Sequence, residues 1–339
     1  MPPAPLLLVL DGNSLLHRAY HAASLEGFTD RSGRPVWALR GLFNYVARAA
    51  AHLRPQAVVV GFDCPDHSAR RLDYPAYKGH RPEKAADLVE QLAGAPELLR
   101  AAGICTVVPT AFEADDVLAS SAEHARRSGW RSVLMTSDRD AFALIDDTTS
   151  VLRIRNGGFD EAVMVDAASL LAICGVQPRQ YRDYAALRGD PSDNLHGVRR
   201  FGAATAARLL QAFDTVEAAW AALDRGDEQS VRDVVGELAA EELGKPAMRA
   251  IVERNRRIMS MRDDLPVPEL DTVRLPLNRM VMRQALSDRG INLGPSLWAL
   301  TGGLPPQRAE EPVVELRPWT FRRGMASRRD PTPGQLALF

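Results

Sequence analysis

Three apolar runs of strand length each lead into one or more aspartates. The runs are Leu6–Leu10, Val58–Phe62 and Val133–Ser137, and the aspartates that follow them are Asp11, Asp63, Asp138 and Asp140. In a parallel sheet the carboxyl ends of the strands meet at one edge, where open α/β folds bind their ligands. The sequence therefore predicts that these four carboxylates converge.

A second group of acids opens a predicted helix. Glu113, Asp115 and Asp116 come soon after the apolar run Ile104–Val108, so the first turn of the helix is expected to face the same edge. Acids in a first helical turn also favour the helix macrodipole and cap its amides. Taken alone, this segment leaves both interpretations open.

The glycine-rich loop Gly189–Gly202 adds Asp190 and Asp193. Its first half is equally typical of a solvated turn. Its second half leads into a predicted helix, and a glycine-rich segment before a helix N-terminus can bind phosphate through exposed amides and the positive helix end. Arg199 and Arg200 supply charge there, which predicts contacts to a nucleic acid backbone without reading of its bases.

Convergence of this many carboxylates predicts a metal centre. Several carboxylates within a few ångströms cannot all ionise near neutral pH unless cations compensate them. Oxygen ligands suit Mg²⁺ or Mn²⁺. Two such ions about 3.5 to 4 Å apart are a common device for in-line displacement at phosphorus.

The elements that must position these acids alternate through the first half of the chain. Strand-like runs are separated by amphipathic helical patterns, which are Val36–Leu53, Glu83–Ala102 and Glu113–Ser128. Two further runs, Ser150–Ile154 and Glu161–Val165, suggest a hairpin. The alternation predicts an α/β domain over residues 1–165 with a mostly parallel sheet.

The second half has a different texture. From residue 166 to about 302 it is rich in Ala, Leu and Arg, and predicts an all-helical domain. The expected helices are Asp166–Cys174, Pro178–Leu187, Ala203–Phe213, Val216–Leu223, Ser230–Leu243 and Pro246–Met259. Residues 303–339 are rich in proline and charge, which predicts a disordered tail.

Composition excludes several classes of protein. The chain has 339 residues, 42 Lys plus Arg and 43 Asp plus Glu, so a basic DNA-wrapping protein and an acidic disordered chain are both excluded. Its three cysteines offer neither a disulfide framework nor a zinc site, and a reducing cytoplasm is expected. No export signal or membrane segment is apparent, and we expect a monomer.

Six blocks of sequence, in order over roughly residues 6 to 300, resemble the 5′ nuclease family, which comprises flap endonucleases and the 5′→3′ exonuclease domain of bacterial DNA polymerase I. The blocks are Asp11–Tyr20, Gly61–Asp63, Tyr74–Pro82, Phe112–Asp116, Thr136–Asp140 and Gly189–Asn194. The resemblance implies a PIN-like core with a helical arch at about 70–95. It also implies a helix-three-turn-helix motif, similar to a helix-hairpin-helix, at about 178–213.

The resemblance also assigns roles to individual residues. Nine acids match the family's metal-binding cluster, and they are Asp11, Asp63, Glu113, Asp115, Asp116, Asp138, Asp140, Asp190 and Asp193. The first four occupy the positions on the more catalytic metal side. Lys78 and Arg81 match the basic pair that neutralises charge on the scissile phosphate. Arg70 and Arg71 match basic residues that contact phosphates, although a surface role is an equal alternative.

The chain departs from the family pattern in two places. His17 stands where the family often has an aromatic residue that stacks on a terminal base, and Tyr20 lies three residues further on. Arg18, between them, is expected to contact DNA. In the helix-three-turn-helix hairpin, one glycine and one lysine of the family are missing. The expected DNA contacts there are Gly197, Arg199, Arg200, Gly202 and Thr205, and a K⁺ ion is implied at the hairpin.

The last five residues resemble the bacterial sliding-clamp binding motif. Gln335 comes first, and Leu336, Leu338 and Phe339 follow as apolar side chains that could fill a pocket at about 1.5 to 3 kcal/mol each. A flexible tail would act as the tether. An accidental terminus is the alternative.

Our main hypothesis is a stand-alone, structure-specific 5′ nuclease that uses two metal ions. It is expected to remove 5′ flaps and 5′-terminal nucleotides, including RNA primer ends, in DNA replication and repair. A PIN-type single-strand ribonuclease shares the carboxylate edge and stays open as an alternative. A non-catalytic DNA-junction adaptor is the third hypothesis.

Overall fold

A computed structural model describes residues 3–23, 28–155 and 158–306 of the chain. The last part of the predicted tail and the predicted clamp motif, Gln335 to Phe339, lie outside the described residues. No helix among those described is long and apolar enough to cross a membrane.

A six-stranded sheet organises the first half of the chain. Its strands are β1 (Leu6–Asp11), β2 (Ala57–Gly61), β3 (Cys105–Val107), β4 (Arg131–Thr136), β5 (Thr149–Arg155) and β6 (Gly158–Val165). The spatial order is β3-β2-β1-β4-β5-β6, and every neighbouring pair is parallel except β5 and β6. The predicted hairpin is this antiparallel pair. The carboxyl ends of β1, β2 and β4 therefore lie side by side, as predicted.

Helices cover both faces of the sheet. They are α1 (Gly12–Ala23), α2 (Trp37–Leu53), α3 (Ala69–Asp73), α4 (Ala86–Ala101) and α5 (Ala114–Arg127). Leu7 and Val9 of β1 pack into the cluster under α5, whereas Leu8 and Leu10 pack into the cluster under α1, α2 and α4. Side chains of a strand alternate between faces, so a strand covered on both faces must be apolar throughout. This explains the continuous apolar run before Asp11.

The second half is helical. Its helices are α6 (Ala167–Cys174), α7 (Pro178–Arg188), α8 (Ala203–Phe213), α9 (Val216–Asp224), α10 (Glu228–Val235), α11 (Glu237–Gly244), α12 (Pro246–Ile258) and α13 (Arg279–Asp288). Two-residue strands β7 (Gly189–Asp190) and β8 (Leu195–His196) pair between α7 and α8. The single helix expected over Ser230–Leu243 is wrong, because Gly236 adopts a φ of 90° and separates α10 from α11.

The segment predicted as a helical arch is only partly helical. Between α3 and α4, residues 74–85 form turns and extended chain. Pro75 and Pro82 explain the break, because the residue before a proline is disfavoured in the helical region and proline lacks an amide donor. α4 buries Leu88, Leu98 and Leu99 in the core, so it is a packed helix of the α/β layer.

Candidate active site

Asp11 is buried at the end of β1. Its Oδ1 accepts a hydrogen bond from the amide of Ser14 at 2.9 Å, and its Oδ2 accepts one from the Thr136 hydroxyl at 2.8 Å. Burial and the nearby charge of Asp63 raise the pKa of Asp11 to about 7, although the two hydrogen bonds act in the opposite direction. This carboxyl is therefore held in place but incompletely ionised at neutral pH.

Asp63 follows β2 and is fixed by two elements. Asn13 Nδ2 donates to Asp63 Oδ2 at 2.9 Å and Asn13 Oδ1 accepts from the Asp63 amide at 3.0 Å. The amide of Ala114, at the start of α5, donates to Asp63 Oδ1 at 2.9 Å. Burial raises the pKa of Asp63 above its ordinary value. The side chain thus links β2 to α1 and α5.

Glu113 stands at the N-terminus of α5 among cations and hydroxyls. Its Oε2 accepts from Lys78 Nζ at 2.8 Å and from the Tyr77 hydroxyl at 3.0 Å, and Arg70 Nη1 lies 3.1 Å from the same oxygen. Burial raises the pKa of Glu113, but Lys78 and Arg70 outweigh it, so the net pKa lies below its usual value. Glu113 is ionised and already paired.

The acidic group continues past the carboxyl end of β4 with Asp138 and Asp140, and it includes Asp115 in the first turn of α5. Burial and the charges of Asp138 and Asp11 raise the pKa of Asp115 well above its ordinary range. Burial and the charges of Asp138 and Asp193 do the same for Asp140. The amide of Asp140 donates to Asp138 Oδ1 at 2.9 Å, which fixes their relative position. Mutual repulsion of this kind is what a bound cation relieves.

The β7–β8 hairpin brings two more carboxylates to Asp140. Ligand oxygens of Asp140, Asp190 and Asp193 all lie within 4.8 Å of one another. Within the described residues, this is the one group of three or more metal-ligating side chains that is so compact. Ser192 donates to Asp190 Oδ1 through its amide and its hydroxyl, both at 2.7 Å. An all-oxygen set of this kind fits a hard divalent cation.

Asp116 is placed differently from the other predicted ligands. Its Oδ1 accepts from Arg70 Nη2 at 3.0 Å and from the Arg262 amide at 2.8 Å. Its Oδ2 accepts from Arg70 Nη1 at 3.1 Å and from the Glu113 amide at 2.9 Å. A carboxylate has about four acceptor positions, and all four are used. These contacts tie Asp116 to the start of α5, and its role as a metal ligand stays a prediction.

Arg70 corrects a sequence prediction. Its guanidinium is 11% exposed, pairs with Asp116 and Glu113, and donates through Nε to the carbonyl of Ile258 at 2.9 Å. All of its donors point into the protein, because two buried carboxylates require a cation there. It is a buried residue that links α5 to the end of α12, not an exposed phosphate contact.

Lys78 and Arg81 line the acidic edge from the segment between α3 and α4. The Lys78 amide donates to the Asp193 carbonyl at 3.0 Å, and Arg81 Nη2 donates to Asp193 Oδ1 at 2.7 Å. Asp193 and Glu113 raise the pKa of Lys78 more than burial lowers it, so the ammonium stays charged. Arg71 is exposed and donates to the Tyr77 carbonyl at 3.3 Å.

The three expected DNA contacts on α1 differ in their surroundings. Burial, followed by the charges of Lys84, His21 and Arg81, lowers the pKa of His17 to about 4, so this ring is neutral and lies among cations. The Tyr20 hydroxyl donates to Asp87 Oδ1 at 2.7 Å and its ring packs against Trp37. Tyr20 of α1 therefore contacts both α2 and α4. Arg18 is partly buried on the same helix.

Gly197 and Gly202, in the loop between α7 and α8, have different roles. A Cβ on Gly197 would overlap the carbonyl group of Arg188 and lie 2.5 Å from the Gly189 amide, so Gly197 is required by backbone packing. Gly202, which precedes α8, has open space around it, and Arg199 and Arg200 are exposed beside it. Thr205 is partly buried in the first turn of α8.

Sequence reasoning missed the residues that hold the acids. They are Asn13, Ser68, Tyr77 and Thr136. Asn13 positions Asp63, Thr136 positions Asp11, and Ser68 and Tyr77 both donate to Glu113. Asn13, Tyr77 and Thr136 lie inside the quoted blocks, so their polar side chains near a predicted ligand were an available signal.

Two family models match almost all of the region that carries this site. The model described as 5'-3' exonuclease, N-terminal resolvase-like domain, matches residues 6–172, and the one described as 5'-3' exonuclease, C-terminal SAM fold, matches residues 176–280. The chain belongs to the 5'-3' exonuclease family. The predicted family and fold class, a mostly parallel PIN-like core followed by helices, are confirmed.

Relatives and solved structures agree with membership of the 5'-3' exonuclease family. DNA polymerase I of Mycobacterium bovis is 35% identical over 272 residues, which is 80% of this chain and 29% of that protein. The chain thus spans less than a third of the length of this relative. Bacteriophage T5 5'-exonuclease with bound zinc has a TM-score of 0.59 at 20% identity, and covers 75% of this chain and 89% of its own.

A second solved structure has the same fold. It is the T5 D15 flap endonuclease, described as a pseudo-enzyme-product complex with DNA and metal ions. Its TM-score is 0.58 at 17% identity, with 87% of this chain and 93% of that chain covered.

Proposed function

We propose that this chain hydrolyses phosphodiester bonds at 5′ ends and 5′ flaps of DNA, as a divalent-metal-dependent 5′ nuclease in replication and repair. The observation that carries the proposal is the convergence of carboxylates with two cations, Lys78 and Arg81, at one edge of the sheet. Acids alone would repel a phosphodiester, whereas acids with a cation pair can serve its cleavage. RNA primer ends are included in the proposed substrates.

The donor set suits Mg²⁺ or Mn²⁺. Asp140, Asp190 and Asp193 would hold one ion, and Asp11, Asp63, Asp115 and Asp138 would hold another. Burial raises the pKa of four members, which supports this assignment because such groups gain most from a cation; they are Asp11, Asp115, Asp140 and Asp193. When bound, divalent ions of this kind activate water and stabilise a leaving oxygen in displacement at phosphorus. The bound metal of the T5 neighbours gives independent support.

The chain's own cations have a defined part in the proposed reaction. Lys78 is held by Glu113 and by the hydrogen bond of its amide to Asp193, so the ammonium is fixed before substrate arrives. Arg81 is half exposed and can swing from Asp193 to a phosphate oxygen. Both would offset the charge that grows on the phosphate during attack. Fixing the cations in advance avoids their reorganisation at the moment of reaction.

The helix α8 supports contact with a nucleic acid backbone. Its N-terminal residue has no side-chain cap, Gly202 leaves the approach open, and Arg199 and Arg200 are exposed there. Amides and the positive helix end can then bind phosphate without reading bases. A K⁺ ion at this hairpin is a further proposal that rests on the family resemblance alone.

Clamp binding, location and assembly are proposals of the same kind. We propose that Gln335–Phe339 binds a sliding clamp, as its sequence suggests. Three cysteines without disulfide partners suit a reducing cytoplasm. A monomer is proposed for the free protein.

The deciding experiment is a time course with Mg²⁺ and a 5′-labelled flap duplex. We expect release of the flap by the unmodified protein, a loss of at least 100-fold in rate for Lys78→Ala, and no change for Lys245→Ala, which removes a surface lysine paired with Glu241 and Glu242. Unstructured RNA is included as a second substrate. Equal cleavage of RNA, or equal rates with Asp115→Ala, would contradict the proposal.

A further inference from the structure

Four arginines form a basic surface on the side of the sheet away from Lys78. Arg153 and Arg155 lie at the carboxyl end of β5, Arg139 follows β4, and Arg188 ends α7. We call them the β5 arginine cluster. Thr136 of β4 is in register with Arg153, which brings Arg139 close to β5.

Packing of α7 completes this surface. The Tyr181 ring of α7 lies 5.5 Å from the Phe142 ring, in the short helix that follows Arg139. The Arg188 guanidinium lies 4.9 Å from the centre of the Tyr184 ring. Burial raises the pKa of the Cys174 thiol while the charges of Arg139, Arg188 and Arg153 all act to lower it, so these guanidinium groups lie around one side chain.

The cluster lacks the carboxylates that neutralise arginines elsewhere in the protein. Across residues 3–23, 28–155 and 158–306, no ion pair or hydrogen bond joins any of its four guanidinium groups to an acid. Arginines outside it are commonly paired, as in Arg126–Glu123, Arg179–Asp214, Arg249–Asp224 and Arg257–Asp73. Among the described residues, the buried Nε of Arg153 has no hydrogen-bond partner. Burial, followed by the charges of Arg139 and Arg155, lowers the pKa of Arg153.

Unneutralised like charges cost stability unless an anion binds them. We infer that the β5 arginine cluster binds phosphates of duplex DNA on the far side of the cut site from Lys78 and Arg81, an inference that rests on the proposed function. Guanidinium groups match phosphate oxygens in pairs, and duplex DNA carries about one charge per 1.7 Å of axis.

Two observations favour duplex over single-stranded DNA. The Tyr184 ring contacts Arg188 and the Tyr181 ring packs near it, and both are buried, so they offer no face on which an unpaired base can stack. β2 and β5 are separated by β1 and β4, which places Arg153 and Arg155 of the cluster about 14 Å from the Asp63 side. That span corresponds to about four base-pair steps, enough to reach the duplex beyond the cut.

The test compares the Arg139→Ala, Arg155→Ala double variant with Arg131→Ala. Arg139 and Arg155 are exposed, so their replacement should not prevent folding. Arg131 is also exposed, at the amino end of β4, away from the carboxyl ends of the strands. A separate Arg153→Ala variant probes the partly buried member. All are made in an Asp115→Asn background, and binding is measured by fluorescence anisotropy at several salt concentrations. The probes are a flap between two duplex arms and a single-stranded oligonucleotide of the flap sequence.

We expect the double variant to bind the two-arm substrate about tenfold more weakly, with a salt slope lower by about two, and to bind the single strand as before. Arg131→Ala should match the parent on both probes. An equal loss on the single strand, or no loss beyond that of Arg131→Ala, would overturn the inference while flap cleavage by the unmodified protein stands. Absence of flap binding and cleavage in the unmodified protein would instead overturn the proposed function, and this inference with it.

Discussion

The buried carboxyl groups at the sheet edge lower the stability of the folded state when they ionise. Asp11, Asp115 and Asp140 have raised pKa values, because burial and neighbouring acids disfavour their ionised forms. A raised pKa in the folded state means that the folded protein holds protons that the unfolded chain has lost. Stability must then fall as pH rises through the folded pKa values.

We therefore expect the metal-free protein to lose stability between pH 6 and pH 8. For Asp11 alone, with a pKa of about 7, the loss is about 1.4 kcal/mol, or a fall of about 3 °C in Tm. Mg²⁺ should remove most of this slope, because it binds the ionised forms. Thermal unfolding across the pH range, in EDTA and in Mg²⁺, measures both. His17 acts in the opposite direction below pH 6.5, but equally in the two series.

A matched pair of variants distinguishes a carboxylate of the acidic site from an exposed surface carboxylate. Asp115→Asn should raise the Tm in EDTA and flatten its pH slope, because it removes a charge that repels Asp11. Asp263→Asn, at an exposed position, should change neither. Identical slopes with and without Mg²⁺ would mean that these carboxyls do not bind the ion.

Arg70 and Arg71 offer a second comparison between adjacent residues. Arg70→Met leaves Asp116 and Glu113 without their buried cation, and should lower the free energy of unfolding by about 3 to 5 kcal/mol. Arg71→Met, at an exposed position, should stay within about 0.5 kcal/mol. Urea unfolding in EDTA measures both values. A small effect of Arg70→Met would show that solvent reaches the two carboxylates.

Arg70 and Asp116 show how far the site could be predicted from the sequence. The acids could be predicted because each follows a strand or opens a helix, and strand ends meet at one edge. Arg70 and Asp116 could not be distinguished from their functional neighbours, because their burial depends on the end of α12 and the loop after it. These lie 188 residues from Arg70 and 146 residues from Asp116 in the chain. Such a long-range contact cannot be predicted from the residues next to Arg70 or Asp116 in the sequence.

Among the elements, the β7–β8 hairpin positions Asp190 and Asp193 through its glycines. Gly197→Ala should cost about 2 to 3 kcal/mol and weaken cleavage, because its Cβ would overlap the Arg188 backbone and displace the hairpin. Gly202→Ala should cost less than about 1 kcal/mol, since its Cβ would point into open space. Chemical unfolding and flap cleavage of the two variants are the measurements. Equal costs would contradict the assignment of separate roles to these glycines.

Element boundaries were predictable where periodicity and burial agree. The strand runs and the helices α2, α5 and α8 were expected within a few residues of where they lie. α1, α3 and α13 were not predicted. α1 begins directly after β1 with Gly12 and Asn13, which carry no helical signal, and α3 is only five residues long. Tertiary packing decides such elements more than local propensity does.

At the scale of the whole molecule, a formal net charge of −1 conceals two opposed surfaces. Carboxylates gather at the sheet edge, and arginines lie beside them at the end of β5 and before α8. In the proposed function, DNA must approach both surfaces at once. Its phosphates are attracted by the arginines and repelled by the acids until cations neutralise the latter.

DNA affinity should therefore increase with a divalent ion at constant ionic strength. Replacing part of the KCl by Ca²⁺, a hard cation that takes oxygen ligands, should tighten binding to a flap duplex about tenfold, because it neutralises the acids at the sheet edge. If counterion release from DNA alone governed binding, the divalent ion would compete for phosphates and weaken it. Anisotropy titrations at fixed ionic strength decide between the two. An Arg199→Ala, Arg200→Ala variant should lower the salt slope by about two yet keep the divalent dependence, and loss of both together would show that the two surfaces do not act separately.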